Sequence, residues 1–316
     1  MLKKIYLSVV LNLIMAISVS ASPNSLSNKY FSRYSELRQK IDNYIYENED
    51  LKKDFIGIKV RNLTKSKDIY YLNATKLFVP ASNTKIFTTL LALEKLGKDY
   101  TFKTTATTDG TIEGEILKGN LYFNFTGDPT FTHQHLGEMV GQLLKTGIKK
   151  IERNIILNRS VFDKNIYGPG WMIEDIDSCD SSPIDSLYID DNCLKVKITA
   201  HNDQFNIETS NLIAVDTSNL KITNNQNENI EIKHFFENNA LSITGIVKND
   251  SVNEIEQSIL NPVYYFTSVL KTIIGNKIII TGNIKTGEPI NNTKVLAEHT
   301  SIPIGEILKK FDKESH

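Results

Sequence analysis

The chain has 316 residues, 40% hydrophobic, 23% charged and 9% aromatic, which is ordinary for a globular protein and excludes disordered, collagen-like and coiled-coil chains. Thirty-six Lys and Arg against 37 Asp and Glu give a formal net charge of -1. No overall basic field exists to hold nucleic acid, and the length fits two domains or one domain carrying a large insertion.

Met1-Leu2-Lys3-Lys4 precedes an apolar run from Ile5 to Val19, and Val19-Ser20-Ala21 offers a small-residue cleavage point before Ser22-Pro23. A basic start, an apolar centre and small residues mark residues 1–21 as a secretory signal peptide. The alternative is a retained anchor. The run is about 15 residues with Asn12 inside it, short of the roughly 20 needed to span a bilayer. The expectation is a protein that is periplasmic or secreted after cleavage, with no stable membrane insertion.

Tyr30, Phe31, Tyr34, Leu37, Ile41, Tyr44 and Ile45 recur at helical spacing, predicting an amphipathic helix over 29–53. Ile56, Ile58 and Val60 alternate, Lys65-Ser66-Lys67 turns, and Ile69-Tyr70-Tyr71-Leu72 returns, which reads as a hairpin. Val79-Pro80-Ala81 is an extended entry to a helix running from Ser82 to about Leu96, with Pro80 just outside its start and Gly97 after its end. Ile86, Phe87, Leu90, Leu91 and Leu93 spread apolar surface around that helix, so it is expected to be buried.

Three short strands follow between Thr101 and Phe125, separated by Thr108-Asp109-Gly110 and Lys118-Gly119-Asn120. A helix over about 132–146 stops at Gly147 before a strand at 150–157. Residues 158–250 are polar and rich in Asn and Asp, with strands near 194–200 and 241–247. A helix near 256–274, a strand from Lys277 to Ile284, a short strand at Val295-Leu296 and a helix from about 303 complete the pattern. The strand-rich 101–250 region reads as an insertion in a core domain built from 22–100 and 251–316.

Export places Cys179 and Cys193, 14 residues apart, where a disulfide persists. Closing such a loop is worth about 3 kcal/mol; two free thiols are the alternative. Two cysteines with no neighbouring His make no zinc site. His133-Gln134-His135, near Asp128, reads as an exposed helix start rather than a ligand pair. No metal and no cofactor is expected.

Ser82-Asn83-Thr84-Lys85 is a Ser-x-x-Lys at a helix start. Side chains three apart on a helix share a face. Serine needs a neighbouring base, and a Lys desolvated by apolar walls can supply a neutral amine. The pattern recurs at Ser218/Lys221 and Ser268/Lys271. The first of these lies in a polar segment. The second sits in mid-helix, where the hydroxyl is expected to bond a carbonyl one turn back. Only Ser82 combines an extended entry, a helix start and an apolar helix body. Its alternative role is a plain N-cap with a surface lysine.

Val79-Pro80-Ala81-Ser82-Asn83-Thr84-Lys85 resembles the nucleophile motif of penicillin-binding proteins. Gly119-Asn120-Leu121-Tyr122, Gly127-Asp128-Pro129-Thr130, Gly168-Pro169-Gly170-Trp171, Ser182-Pro183-Ile184, Asp191-Asn192-Cys193 and Val295-Leu296-Ala297-Glu298-His299-Thr300-Ser301 follow in order. Together they resemble the class C low-molecular-weight penicillin-binding proteins, the D-alanyl-D-alanine carboxypeptidase/endopeptidases, over about 55–316. The resemblance implies an α+β, β-lactamase/transpeptidase-like serine acyltransferase domain with a large strand-rich insertion. It implies Ser82 as nucleophile, Lys85 as base and Asp175 as a substrate-binding acid from the inserted region. The ligands implied are peptidoglycan stem peptides ending in D-Ala-D-Ala, with β-lactam antibiotics as covalent inhibitors.

That family uses two further motifs, Ser-x-Asn and Lys-Thr-Gly. Lys145-Thr146-Gly147 reads as a helix stop, and Lys285-Thr286-Gly287 and Ser251-Val252-Asn253 precede the His299 segment, so none falls in the family's order. Ser315 stands where the family has the serine of Ser-x-Asn, as a third catalytic residue, and the sequence given ends at His316. The resemblance thus implies a catalytic domain incomplete at the C-terminus and an impaired peptidase. Two other readings stand beside it: an inactive fragment acting as a cell-wall binding or interaction module, and a serine β-lactamase, against which the long insertion speaks.

Overall fold

A computed structural model describes residues 34–209, 214–224, 228–235, 240–288, 290 and 293–314. The expected signal peptide and Ser315 lie outside the described residues. No helix among the described residues is long and apolar enough to cross a membrane. The chain divides into two compact units at Ala81/Ser82.

In the first unit, α1 (Ser35–Glu47) and α2 (Glu49–Lys53) replace the described part of the single helix expected over 29–53, whose residues 29–33 lie outside the described residues. Asn48 is extended, and its side chain accepts from the N–H groups of Asp50 and Leu51 at 3.1 Å. That side chain supplies a cap in place of the next backbone turn, so one helix ends where the next begins. The hairpin is as expected: Ile58–Asn62 pairs antiparallel with Lys67–Leu72, Val60 opposite Tyr70. Tyr70 donates its hydroxyl to Asp42 of α1 at 2.6 Å, and burial, then the Asp42 carboxylate, push its pKa up to about 12.

In the second unit α3 (Thr84–Leu96) follows a short 3-10 turn at Ala81–Asn83. The main sheet orders strands Ile284–Thr286, Ile155–Asn158, Leu121–Asn124, Lys103–Thr108 and Lys294–Thr300. The first three run parallel to one another, and the last two pairings are antiparallel. A smaller sheet joins Ile279–Ile280, Lys150–Ile151, Ile116–Lys118 and Thr111–Glu113.

Two helices pack into the core with these sheets. α4 (His133–Lys145) starts at a Thr132 cap and buries Leu136, Met139, Val140 and Leu143, a stripe at helical spacing. α5 (Pro262–Ile274) starts at Asn261, whose side chain accepts from the Tyr264 N–H at 3.0 Å, and has Pro262 in its first turn. Its Phe266 meets Phe123 and Phe125 edge-on, with ring centroids at 5.6 and 4.9 Å. Residues 193–258 add a three-stranded sheet of Gln204–Glu208, Cys193–His201 and Ser251–Ser258, and a four-stranded sheet around Ala240–Lys248. Residues 251–300 thus continue sheets begun at 103–158 and 193–208.

Several element boundaries differ from expectation. The 101–125 stretch makes four strands, because Gly114 (φ +61°) turns the chain between Thr111–Glu113 and Ile116–Lys118. The single strands expected at 150–157 and 277–284 each divide between the two sheets. At Gly282 a Cβ would lie 2.4 Å from the Arg153 carbonyl oxygen, so the two breaks cross at close quarters. The helix expected from 256 begins at Pro262, since 251–258 is strand, and Val295-Leu296 extends to Lys294–Thr300.

The largest correction concerns α3. Ile86 is 64% exposed, Phe87 70%, Leu90 61% and Leu91 56%. An apolar circumference predicts burial only where a second surface exists to receive it. Within its unit the helix that packs on α3 is α6 (Ile304–Glu314), through contacts such as Thr89 donating to Asp312 at 2.9 Å.

Candidate active site

The chain enters the Ser-x-x-Lys segment through Ala81, which has a φ of +46°. A left-handed alanine is strained by about 1–2 kcal/mol, and such strain collects where a backbone must aim a functional side chain. Ser82 follows in the 3-10 turn and is exposed, and Lys85 lies in the first turn of α3, half-buried. The Lys85 ammonium sits 5.2 Å from the centroid of Phe311 on α6, a cation–ring contact. An exposed hydroxyl at the positive end of a helix, one turn from an amine against an aromatic wall, suits nucleophilic chemistry with developing negative charge. The sequence motif singles out Ser82 and Lys85 but gives no sign of Ala81, since no glycine marks its left-handed backbone, or of Phe311, which α6 brings in from a distant part of the chain.

The other copies of the motifs are structural. Ser268 donates its hydroxyl to the Tyr264 carbonyl at 3.0 Å, one turn back as expected. Ser218 sits in a turn, its N–H bonded to Asp216 at 3.0 Å. Lys145-Thr146-Gly147 closes α4, with Gly147 at φ +87°. Lys285-Thr286-Gly287 ends the edge strand Ile284–Thr286, and Ser251 and Asn253 bond each other at 3.2 Å within a strand.

Asp175 closes a 3-10 turn, Ile173–Asp175, and is exposed beside exposed Trp171, Met172 and Ile173. Its N–H bonds Met172 at 3.1 Å and its carbonyl accepts from Ser178 at 2.9 Å. Cys179 and Cys193 form the expected disulfide, with Cα atoms 5.3 Å apart. The structure therefore places Ser82 and Lys85 on the α3 start and Asp175 on a different element, a loop stapled to strand Cys193–His201.

The two close histidines serve the fold. His133 Nδ1 lies 2.9 Å from Asp190, and His135 Nδ1 lies 3.2 Å from the N–H of Thr132, the α4 cap. Asp128 is buried and accepts from the Thr130 N–H and hydroxyl at 2.9 and 2.7 Å. His299 stacks on His135 at 4.1 Å and places Nε2 3.5 Å from Asp128. Burial, then the neighbouring His135, hold its pKa below the ordinary imidazole value. Among the described residues, the His, Cys, Asp and Glu side chains close enough to share a metal are Cys179, Cys193 and Glu256, and the two cysteines are spent in the disulfide.

Comparison with known proteins identifies the family and the fold. The chain is 26% identical over 278 residues to the D-alanyl-D-alanine carboxypeptidase DacB of Haemophilus influenzae, covering 82% of this chain and 56% of that one. The crystal structure of penicillin binding protein 4 (dacB) from Haemophilus influenzae superposes with a TM-score of 0.71 at 26% identity, over 81% of this chain and 58% of the other. A structure of the same protein complexed with a novel β-lactam gives a TM-score of 0.65 at 23% identity, over 81% and 56%. This chain thus spans a little over half the length of these relatives. The fold is the mixed α+β, transpeptidase-like serine hydrolase architecture with a strand-rich insertion. Since the model of the D-Ala-D-Ala carboxypeptidase 3 (S13) family matches residues 37–316, the chain belongs to that family.

Proposed function

We propose that this chain carries the nucleophile of a serine D-Ala-D-Ala carboxypeptidase/endopeptidase acting on peptidoglycan stem peptides. The observation that carries the reading is Ser82, exposed at the start of α3, with Lys85 in the next turn against Phe311. The Ser82 oxygen attacks the carbonyl carbon of the penultimate D-Ala while its proton passes to Lys85 acting as the base. The peptide C–N bond then breaks, the leaving D-Ala or cross-linked stem takes that proton, and water hydrolyses the acyl-enzyme. The positive end of α3 stabilises the negative charge that develops.

Ser315 is assigned to the second motif. The Phe311–Lys85 and Asp312–Thr89 contacts support this, because they set the last turn of α6 beside the first turns of α3, and Ser315 is four residues after Phe311 in the sequence. Asp175 is assigned to substrate binding, its exposed carboxylate and neighbouring apolar side chains suiting an ammonium group on an aliphatic stem. The β-lactam complex of the Haemophilus protein supports β-lactams as ligands, with Ser82 as the proposed point of acylation. Peptidoglycan as substrate and the apolar N-terminal run support an extracytoplasmic location, periplasmic or secreted.

The test is release of D-Ala from a stem pentapeptide by the full chain, followed by chromatography. The proposal expects release that is abolished by Ser82→Ala and strongly reduced by Lys85→Ala. Equal release by Ser82→Ala, or none by the unaltered chain, overturns it.

A further inference from the structure

We propose that Gln257 is a positioning residue for Asp175, a role resting on the assignment of Asp175 to substrate binding. The loop that bears Asp175 has turn hydrogen bonds of its own but buries none of Trp171, Met172, Ile173 and Asp175, which are all exposed. Its place is set by attachments just after Asp175. The Asp177 carbonyl accepts two hydrogen bonds at 2.9 Å, one from the side-chain amide of Gln257 and one from the Ser258 N–H. Both donors come from buried residues. Two residues further on, Cys179 is bonded to Cys193, and Cys193 pairs with Ser258 in the ladder between the two strands. All these attachments converge on one end of that ladder.

The platform beneath them is firmly fixed. Asp190, Asp191 and Asn192, which lead into Cys193, have φ values of +53°, +58° and +45°. Three successive left-handed residues without a glycine persist only where the surroundings over-determine the backbone. Here Asn192 is fully buried, and its carbonyl accepts from the Ser182 hydroxyl at 2.9 Å and the Ile259 N–H at 2.7 Å. Asp190 in turn accepts from the Tyr265 hydroxyl at 3.0 Å. A rigid base, with a buried amide reaching from it to a carbonyl two residues past Asp175, is a device for holding a carboxylate in place. Burying a glutamine is costly unless its amide is bonded, and this bond goes to the loop.

Trp171 is the only tryptophan in the sequence and lies four residues from Asp175, so its fluorescence reports on the loop directly. The experiment compares the full chain with Gln257→Met, which keeps the length and removes the donor. Readouts are Trp171 anisotropy, the Kd for a stem pentapeptide bearing a diamino acid, and the urea midpoint. Lower anisotropy and about tenfold weaker peptide binding are expected, the size of one lost hydrogen bond to a charged ligand. Asp175→Asn should weaken binding comparably, and Gln257→Met added to it should change Kd less than about twofold.

A lower urea midpoint with anisotropy and Kd unmoved would show that Gln257 serves stability alone and would overturn the proposal. If Asp175→Asn leaves Kd unchanged, the reading of Asp175 fails instead, and the anisotropy of Gln257→Met still decides whether Gln257 fixes the loop.

Discussion

Leu90 and Leu143 are the same residue type on two helices of one unit, and their exposures differ sharply. Leu90 on α3 is 61% exposed, whereas Leu143 on α4 is 1% exposed. Full burial of a leucine is worth about 1.5–3 kcal/mol, and most of the Leu90 surface already faces water. Truncation to alanine there should cost at most about 1 kcal/mol, reduced by a few tenths because alanine is the better helix former. Leu143→Ala removes a side chain from a filled core and leaves a cavity, which costs about 2–5 kcal/mol. Urea unfolding of both variants, followed by far-UV circular dichroism, separates the two cases. A Leu90→Ala cost of about 2 kcal/mol or more would mean that α3 is covered in solution, and the account of it as an exposed apolar helix would be wrong.

Reducing the Cys179–Cys193 disulfide should destabilise the unit by about 3 kcal/mol and raise hydrogen exchange at the Asp175 and Ser178 amides; unchanged exchange there would sever the staple from the loop. His299 is held below the ordinary imidazole pKa by burial and then by His135, despite the Asp128 and Glu138 carboxylates that oppose the shift. The unfolded chain therefore takes up a proton first, so stability should fall as pH drops below about 6.5. The fall should end once the folded-state pKa is passed, and His299→Gln should flatten it in urea titrations at pH 7.5 and 5.5. Arg159 contacts the buried Asp185 at 2.7 Å, yet burial still pushes the Asp185 carboxyl up. Arg159→Ala should cost about 3 kcal/mol, the low end for a broken buried pair because Arg159 is itself 31% exposed, and a near-neutral urea midpoint would count against this.

Local signals explain what the sequence revealed. Pro80, Ser82 and the apolar run to Leu96 place the α3 start to within two residues, and Gly147 marks the α4 end. The disulfide followed from two cysteines and the expectation of export. Long-range signals explain what was missed. The helix expected near 256–274 overlaps the end of the strand Ser251–Ser258, which carries Glu254 and Glu256. Across the ladder they face Lys197 and Lys195, and the Lys195–Glu256 pair lies at 3.3 Å. Opposite charges facing each other across strands support pairing, but that partner lies some sixty residues away in the chain. The burial of α3 was misread for a related reason, because a helix pattern shows which face is apolar and not whether anything covers it. The proposed pair Ser82 and Lys85 stood out from the two other Ser-x-x-Lys copies through its extended entry and apolar helix body, with resemblance added to it, whereas the proposed role of Asp175 came from resemblance alone.

The central claim is that Ser82 is a nucleophile activated at the start of α3, and intact-protein mass spectrometry after incubation with benzylpenicillin tests it most directly. The account predicts one penicilloyl adduct per chain, mapped by digestion to the peptide containing Ser82 and absent from Ser82→Ala. An unmodified full chain, or an adduct that persists in Ser82→Ala, would contradict it.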